Sequence, residues 1–415
     1  MSNASANAAG RSGPLSDIRV IEMGQLLAGP FCGQLLADFG AEVIKIEQPG
    51  IGDPMREWGR EKPQGVSLWW PVVARNKKSI ELNARGAEGQ QIVRDLVAKS
   101  DILIENFRPG TMEKWGLGYE ELAKINPRLI MIRVSGYGQT GPYAGKAGYG
   151  SIGEAMGGLR YVVGDPATPP SRMGISIGDT LAATFACIGG LMALHARDRL
   201  GRGQVVDSAI YEAVLAVMES LVTEYDQTGY VRERTGAILP FVAPSNVYPT
   251  RDGVFVLIAA NQDGVFRRLT EAMGRPELGT DPRFANHTAR GERQAELDAL
   301  IAEWTGGLGR EELGEKLDAA GVPRGDIYRA PEMLADAHFQ ARKAIVDVLH
   351  PRLGKMRMQN VAPKLSATPG EVRDVGPELG QHNAEIFGSL LGLDEGRLAA
   401  LRESGVIGAA LARVA

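Results

Sequence analysis

The chain has 415 residues, of which 44% are hydrophobic and 23% charged, so it is long enough for two folded domains. Its net charge of −4 provides no basic surface for nucleic acid, and small molecules or protein are the expected partners. The two cysteines, Cys32 and Cys187, have no metal-like neighbours, a pattern typical of a reducing cytoplasm.

The first part of the chain alternates apolar runs with helical patterns. Residues 1–16 are small and polar, without the apolar region of a signal peptide, and are expected to form a disordered tail. Strands are then predicted at 18–23, 41–47, 101–106 and 128–134, with helices between them at 29–40, 86–99 and 119–125. This alternation predicts an α/β fold: a doubly wound, mostly parallel, Rossmann-like sheet that binds ligands at the carboxyl ends of its strands.

The rest of the chain predicts a second, smaller α+β domain. A long apolar helix is expected at 179–199 and another at 205–228, and no apolar stretch is uninterrupted enough for a membrane span. A β-hairpin at 246–260, turning at Asp252-Gly253, precedes helices at 263–273, 290–305 and 310–320, and a second hairpin at 344–361 precedes a helical ending. The predicted layout is a large domain (17–220), a small domain (221–340) and a C-terminal segment (341–415) that returns to the large domain.

Three short motifs carry candidate chemistry. The stretch "GYGSIG" (148–153) matches G-x-G-x-x-G, but a loop precedes it and no acidic strand end follows, which favours a glycine-rich turn over a dinucleotide site. The basic stretch "RNKKS" (75–79) could hold phosphates or be a solvated loop. The stretch "ENFRPG" (105–110) directly follows a strand, where Asn106 and Phe107 could contact a ligand or only cap the domain.

The five histidines do not suggest catalysis. All of them lie at or after residue 195, none has the spacing of metal ligands, and no G-x-S-x-G elbow occurs. His195 follows Asp179 on the same predicted helix, about 24 Å away at about 1.5 Å per residue. Neither a zinc site nor a serine hydrolase is therefore predicted, and Asp179 has no histidine partner.

Asp179, in "SIGDTLAATF", allows two interpretations. It stands between Gly178 and Thr180 at the head of an apolar helix, which is typical of an N-cap. A carboxylate at a helix N-terminus is also kept ionised by the helix dipole, as a nucleophilic carboxylate requires. The two roles are compatible, so Asp179 is expected to cap the helix whether or not it is also the nucleophile.

Together these segments resemble the family III CoA-transferases, which include formyl-CoA transferase, carnitine CoA-transferase and the α-methylacyl-CoA racemases. The resemblance covers about residues 17–390, is nearest to the succinyl-CoA-dependent dicarboxylate branch, and rests on segments in the family's order: "LLAGPFCGQLLADFGAEVIKIEQPGIGDPMREWG", "RNKKSIELN", "ENFRPGTMEKWGLGYEEL", "RVSGYGQTGPYAGKAGYG", "GISIGDTLAATFACIGGLMALHARDRLGRGQVVD" and "GQHNAEIF".

The resemblance implies roles for individual residues. Asp179 becomes the covalent nucleophile, with coenzyme A as the acyl-CoA substrate and no metal. An interlocked homodimer and a cytoplasmic location are expected, with no nucleic-acid or membrane partner. The implied CoA contacts, together with Arg75 as a phosphate candidate, are Leu27, Ala28, Gln48, Arg75, Leu82, Arg85, Asn106, Phe107, Lys114, Lys146 and Tyr149.

Departures from the family pattern narrow the function. Gln48 replaces a basic residue and Leu27 a polar amide of formyl-CoA transferase, and its "GGGGQ" loop has no counterpart, which argues against oxalate or formate. The racemase branch uses a histidine before the "GD" aspartate, and none occurs there. We expect transfer of CoA between an acyl thioester and a free dicarboxylic acid, through aspartyl mixed-anhydride and aspartyl-CoA thioester intermediates. The alternatives are a racemase or isomerase of the same family and a non-catalytic CoA-binding homologue.

Overall fold

The computed structural model describes residues 12–408; residues 1–11 of the predicted tail, and residues 409–415, lie outside the described residues. The described strands are β1 (Arg19–Glu22), β2 (Glu42–Glu47), β3 (Lys77–Glu81), β4 (Ile102–Glu105), β5 (Ile130–Ser135), β6 (Val205–Ala209), β7 (Ser245–Pro249), β8 (Phe255–Ala259), β9 (Arg324–Asp326), β10 (Ile345–His350) and β11 (Gly354–Gln359).

The α-helices within the same range are α1 (Ala28–Asp38), α2 (Trp70–Val73), α3 (Ala87–Val97), α4 (Thr111–Lys114), α5 (Tyr119–Ile125), α6 (Gly150–Met156), α7 (Leu159–Val162), α8 (Ile177–Leu200), α9 (Ile210–Leu215), α10 (Leu221–Thr228), α11 (Asp263–Ala272), α12 (His287–Glu292), α13 (Gln294–Gly306), α14 (Arg310–Ala319), α15 (Ala330–Ala335), α16 (Ala337–Ala341) and α17 (Glu395–Glu403). Short 3₁₀ turns occur at Pro54–Glu57, Pro63–Gly65 and Pro276–Gly279, and a π-helical turn at Ala384–Leu390.

Six parallel strands form the main sheet, in the order β3-β2-β1-β4-β5-β6. This confirms the predicted α/β fold with a parallel sheet, whose strand order is that of the doubly wound dinucleotide-binding folds. Two strands were missed. The stretch predicted as a basic loop contributes β3, and the helix predicted at 205–228 begins instead as strand β6, followed by the separate helices α9 and α10.

Both faces of this sheet are covered by helices. On β1, Val20 packs into one apolar cluster with Cys32 and Ala186 of α1 and α8, while Ile21 packs into another with Val93 of α3. Because successive side chains of a strand point to opposite faces, a strand buried on both sides has a continuous apolar sequence. This is why four of the six strands were recognisable as apolar runs.

Contacts divide the chain into two compact units. The first contains the residues up to Leu159, Gly174–Glu219 and the residues from Gln340 onward; the second contains Arg160–Met173 and Ser220–Phe339. In the second unit β7, β8 and β9 form an antiparallel sheet. Gly253 has φ +78 between β7 and β8, so the predicted hairpin turn is confirmed.

The C-terminal residues contribute to the first unit. Strands β10 and β11 form the predicted antiparallel hairpin. Beyond it, Phe387, Leu398 and Ile407 join the apolar cluster that contains Ile80 of β3. The core on this face of the sheet is therefore built from both ends of the chain.

Helix α8 is the one helix, among residues 12–408, that is long and apolar enough for a membrane span by length and composition alone. Its residues Ala182, Ala183 and Ala186 are fully buried in the cluster on the sheet. A core helix of a globular protein can have the same length and composition. In α8, 39% of the apolar stretch is buried, and Phe185, Leu191 and Met192 are exposed.

Candidate active site

Asp179 lies on the first turn of α8, as its third residue. The backbone N–H of Thr180 donates to the Ser176 carbonyl oxygen at 3.1 Å, so the helix begins earlier than the sequence suggested and Ser176 is the N-cap. The prediction that Asp179 caps the helix was therefore wrong by three positions. The carboxylate is half-buried and remains within the positive end of the helix dipole.

The Asp179 carboxylate rests against the α-carbon of Gly150, the first residue of α6. A methyl group built on Gly150 would lie 2.2 Å from Asp179 Oδ2 and 3.0 Å from Oδ1. One built on Gly178 would lie 2.8 Å from the Gly150 carbonyl oxygen. Neither position therefore has room for a side chain. The prediction of a glycine-rich turn was wrong for most of "GYGSIG", because its residues from Gly150 onward form the beginning of α6.

Glycines also connect this turn with the end of β5. A methyl group on Gly136, the residue after β5, would lie 2.8 Å from the α-carbon of Gly148. The two backbones are thus in direct contact, and Gly150, which contacts the Asp179 carboxylate, follows Gly148 by two residues. Asp179 is in this way placed beside the carboxyl end of a parallel strand, where ligands bind in doubly wound folds.

A second carboxylate supports the same turn of α8. Glu154 of α6 is 1% exposed, and its Oε1 accepts from the backbone N–H of Gly178 at 3.3 Å. This bond holds one of the N–H groups that a helix leaves without an internal acceptor. Glu154 was not among the residues predicted from the sequence. The only signal for it there is an acidic residue one helical turn after Gly150.

Part of the predicted CoA-contact set meets in one cleft at the carboxyl ends of β1 to β4. Phe107 packs against Trp115 in an edge-to-face contact, with 5.1 Å between the ring centres. The cleft therefore combines an aromatic wall with polar groups, which suits a ligand that has an aromatic base. Trp115 was not predicted, although it lies in the quoted "ENFRPGTMEKWG" segment. The cleft is lined by Met23, Gln25, Gln48, Leu82, Arg85, Phe107 and Trp115.

The turn after β4 is fixed by Glu105, whose Oε2 accepts from the Phe107 backbone N–H at 2.7 Å. Its Oε1 accepts from Arg133 Nε, also at 2.7 Å. Burial raises the pKa of Glu105, against the lowering effect of Arg133 and the Phe107 N–H. Glu105 thus fixes the backbone position of Phe107.

Asn106, Leu27 and Ala28 belong to a neighbouring group at the end of β1. The Asn106 side chain accepts from the Gln25 N–H at 2.8 Å and donates to the Gln25 carbonyl oxygen at 2.9 Å. Leu27 is the N-cap residue of α1 and Ala28 its first, buried residue. Asn106 therefore holds the loop that carries the other two predicted contacts.

Arg75 lies in the interior instead of at a ligand-accessible surface. It is 3% exposed, its Nη2 is 2.6 Å from Asp38 Oδ2, and its Nη1 donates to the Gln359 carbonyl oxygen at 2.7 Å. Lys77 of the same stretch is 2.7 Å from Glu22, also buried. The basic stretch was predicted to hold phosphates or to be solvated, and two of its cations pair with carboxylates inside the first unit.

The remaining predicted contacts are solvent-exposed and do not line the cleft. Lys114 ends α4, and Tyr149 is 68% exposed at the N-cap position of α6. Lys146 Nζ lies 3.6 Å from the centre of the Tyr143 ring, a cation–π contact. Across residues 12–408, no group of three or more His, Cys, Asp or Glu side chains is placed to hold a metal ion.

Comparison with known proteins gives consistent matches over nearly the whole chain. The model of CoA-transferase family III matches residues 15–383. A succinyl-CoA–D-citramalate CoA-transferase of Chloroflexus aurantiacus is 64% identical, with 95% of this chain and 98% of the relative covered. The beta subunit of a succinyl-CoA–L-malate CoA-transferase from the same organism is 41% identical at the same coverage, 95% and 98%.

Among solved structures, a CAIB/BAIF family protein from Brucella suis superimposes with a TM-score of 0.82 at 35% identity. The match covers 92% of this chain and all of that one. The sequence and fold comparisons thus agree along the chain.

Proposed function

The chain belongs to CoA-transferase family III, and from that premise we propose that it moves CoA from succinyl-CoA to a 2-hydroxylated dicarboxylic acid of four or five carbons. The acceptor class follows from two relatives named for D-citramalate and L-malate, the first of them 64% identical. Gln48 and Leu27 also depart from the formyl-CoA transferase pattern, which argues against oxalate or formate as the acid.

The observation that carries the proposal is the position of Asp179. Its half-buried carboxylate lies at the N-terminal turn of α8, over the bare α-carbon of Gly150. The backbone of Gly150 fixes the position of the carboxylate on one side, and the helix dipole stabilises the anion that attacks. We propose Asp179 as the nucleophile.

The reaction then proceeds in four balanced steps. The Asp179 carboxylate attacks the donor thioester carbonyl, the C–S bond breaks, and a mixed anhydride and CoA thiolate form. The thiolate attacks the aspartyl carbonyl, which releases the donor acid as its carboxylate and leaves an aspartyl-CoA thioester. The acceptor carboxylate attacks this thioester and frees the thiolate again. The thiolate finally attacks the acceptor's acyl carbon, giving the new acyl-CoA and restoring Asp179.

No proton-transferring histidine is needed in this sequence, because a thiolate is both a good leaving group and a good nucleophile. Racemisation instead requires bases that remove and return the α-proton. His195 lies sixteen residues after Asp179 on α8, about 24 Å along the helix axis. This favours transfer over racemisation.

The predicted CoA contacts of the cleft extend the proposal. Gln48, Arg85 and Phe107 line one cleft at the carboxyl edge of the sheet, with Trp115 beside Phe107. We propose this cleft for the nucleotide part of CoA. The homodimer and the cytoplasmic location stay predictions.

The test is transfer from succinyl-CoA to citramalate and malate, followed by mass spectrometry of the intact protein and of its Asp179 peptide. Wild-type protein is expected to form the new CoA ester and to carry CoA on Asp179. The isosteric variant Asp179→Asn is expected to lose transfer and the adduct while still binding CoA. Solvent deuterium entering the α-position without an acceptor acid, with no adduct, would contradict the proposal in favour of racemisation.

A further inference from the structure

The loop between β1 and α1 contains a strained residue. Leu26 has φ +62, in the left-handed region that residues other than glycine seldom occupy. No glycine stands at this position, so the surrounding structure must hold the conformation. The residue lies directly before Leu27 and Ala28, where α1 begins.

Three side chains from distant parts of the first unit hold this loop. Lys45 Nζ donates to the Gly24 carbonyl oxygen at 2.8 Å, and Asn106 bonds both backbone groups of Gln25. Asp53 Oδ1 accepts from the Leu26 N–H at 3.1 Å. Of the three, Asp53 is the one that bonds the strained residue itself.

Asp53 is itself buried and paired with a cation. It is 2% exposed, its Oδ1 also accepts from the Met55 N–H at 2.8 Å, and its Oδ2 lies 2.8 Å from Lys45 Nζ. Burial alone would raise the pKa of Asp53, and the Lys45 ammonium outweighs it, so that the pKa is lowered. Oδ1 therefore accepts two backbone N–H groups while Oδ2 faces the Lys45 ammonium as an ion pair, and a neutral amide cannot supply both.

The held loop lies at the point where the order of the sheet reverses, since β1 is flanked by β2 and β4. Its residue Gln25 lines the cleft, whereas Ala28 and Gly29 at the start of α1 are buried. Because Leu26 directly follows Gln25, a change in the φ angle of Leu26 would displace Gln25 from the cleft.

We infer that Asp53 is a positioning residue for CoA: it fixes the left-handed Leu26 and thereby holds the adjoining Gln25 in its place in the cleft. This inference rests on the proposed function. A purely structural Asp53 would affect the stability of the fold and leave CoA binding by the folded protein unchanged.

The first experiment compares Asp53→Asn with wild type in three measurements: the KM for succinyl-CoA, kcat, and the Kd for free CoA by calorimetry. We expect KM and Kd to rise about tenfold and kcat to stay within about twofold of wild type. A tenfold change in affinity corresponds to the free-energy cost of holding a leucine in the left-handed conformation. Unchanged KM and Kd in a folded Asp53→Asn protein would overturn the inference.

A matched control separates positioning from general destabilisation. Asp38→Asn breaks the buried pair with Arg75 at the far end of α1 and touches no residue of the loop. We expect Asp38→Asn to lower the melting temperature as Asp53→Asn does, with KM and Kd unchanged. An equal rise in KM for both variants would overturn the inference.

Two further variants leave the buried charges intact. Leu26→Val places a β-branched residue where φ is positive and is expected to raise Kd for CoA, whereas Leu26→Gly relieves the strain. In the Leu26→Gly background, Asp53→Asn is expected to change Kd less than about threefold. An equal effect of Asp53→Asn in both backgrounds would overturn the inference. Wild-type protein that binds no CoA would instead overturn the proposed function.

Discussion

At the scale of single residues, the site depends on the absence of side chains as much as on their presence. Gly150 gives the Asp179 carboxylate its place, and Gly136 and Gly148 bring two backbones into contact beside it. Gly150 is not among the residues with positive φ, so its backbone is one that alanine can adopt. The requirement for glycine is therefore one of space.

This leads to a prediction for Gly150→Ala. The added methyl group would lie 2.2 Å from Asp179 Oδ2, so the carboxylate must move by about an ångström to reach normal contact. A misplacement of that size costs about a hundredfold in rate, and we expect kcat to fall by about that factor with KM for succinyl-CoA little changed. Steady-state kinetics and the yield of the Asp179 adduct measure it.

Gly264→Ala is the matched control, because Gly264 also lies in the first turn of a helix and no atom is within 4 Å of an added methyl group. It is expected to keep full activity. If Gly150→Ala also keeps wild-type kcat, the position of Asp179 does not limit the reaction and its proposed role is wrong.

At the level of single residues, short motifs pointed to candidate site residues, whereas contacts between residues distant in the sequence could not be predicted. The resemblance singled out Asp179 through its "GD" segment, and Phe107 stood out from its place after a strand; the role of Asp179 stays a prediction. Arg75 was misassigned because its partners, Asp38 and Gln359, are 37 and 284 positions away. Asp53 was missed for the same reason: its role depends on a backbone angle at Leu26.

At the scale of elements, the edge strand β3 depends on the C-terminal segment. The backbone N–H of His382 donates to the Ser79 carbonyl oxygen at 3.0 Å, and the Ser79 N–H donates to His382 Nδ1 at 3.1 Å. The next outward N–H, that of Glu81, donates to Asn383 Oδ1 at 2.9 Å. Two side chains thus satisfy the free edge of the sheet.

The bond to Nδ1 predicts a pH dependence of stability. Burial lowers the pKa of His382 below 6.5, with Lys78 acting in the same direction and Glu385 against it. As the pH falls below 6.5, His382 is protonated in the unfolded chain before it is protonated in the folded protein. The folded protein therefore has its full stability above pH 6.5 and loses this contribution as the pH falls through the lower pKa of folded His382. We expect the Tm to fall between about pH 7.5 and 5.5.

The variant His382→Asn isolates this contribution. Asparagine places an acceptor oxygen near the position of Nδ1 and does not titrate, so its Tm is expected to fall less over the same pH range. Burial also lowers the pKa of His350, whose Nδ1 accepts from Arg352 and Leu353, but His350 is present in both proteins and cancels in the comparison. Parallel pH profiles would contradict the prediction.

Elements with a strong apolar period were predictable, and edge elements were not. The helix predicted at 119–125 is α5, with the same bounds. In β3, Lys77 is buried only because Glu22 pairs with it, so the local sequence resembles a charged loop. In β6, Val205 and Asp207 are exposed at the edge of the sheet, and the apolar alternation of a strand is lost.

At the scale of the whole molecule, each apolar cluster among residues 12–408 belongs to one unit only. In the first unit, the core on one face of the sheet combines Ile80 and Leu82 with Phe387 from the C-terminal segment. The second unit has its own core, which includes Tyr248 and Phe284. The first core is complete only when the last part of the chain has been added, whereas the second is formed by residues 243–322 alone.

Separate cores predict separable unfolding. Phe387 and Phe284 are both fully buried, and truncation of a buried phenylalanine to alanine costs about 3–5 kcal/mol. Phe387→Ala is therefore expected to lower the Tm of the first unit by roughly 6–15 °C and to leave the transition of the second unit in place. Phe284→Ala is expected to do the reverse. Differential scanning calorimetry of each variant measures whether the transition of the substituted unit shifts while that of the other unit stays in place. A single transition that shifts as a whole in both variants would show that the two cores unfold cooperatively, since independent cores respond only to substitutions within themselves.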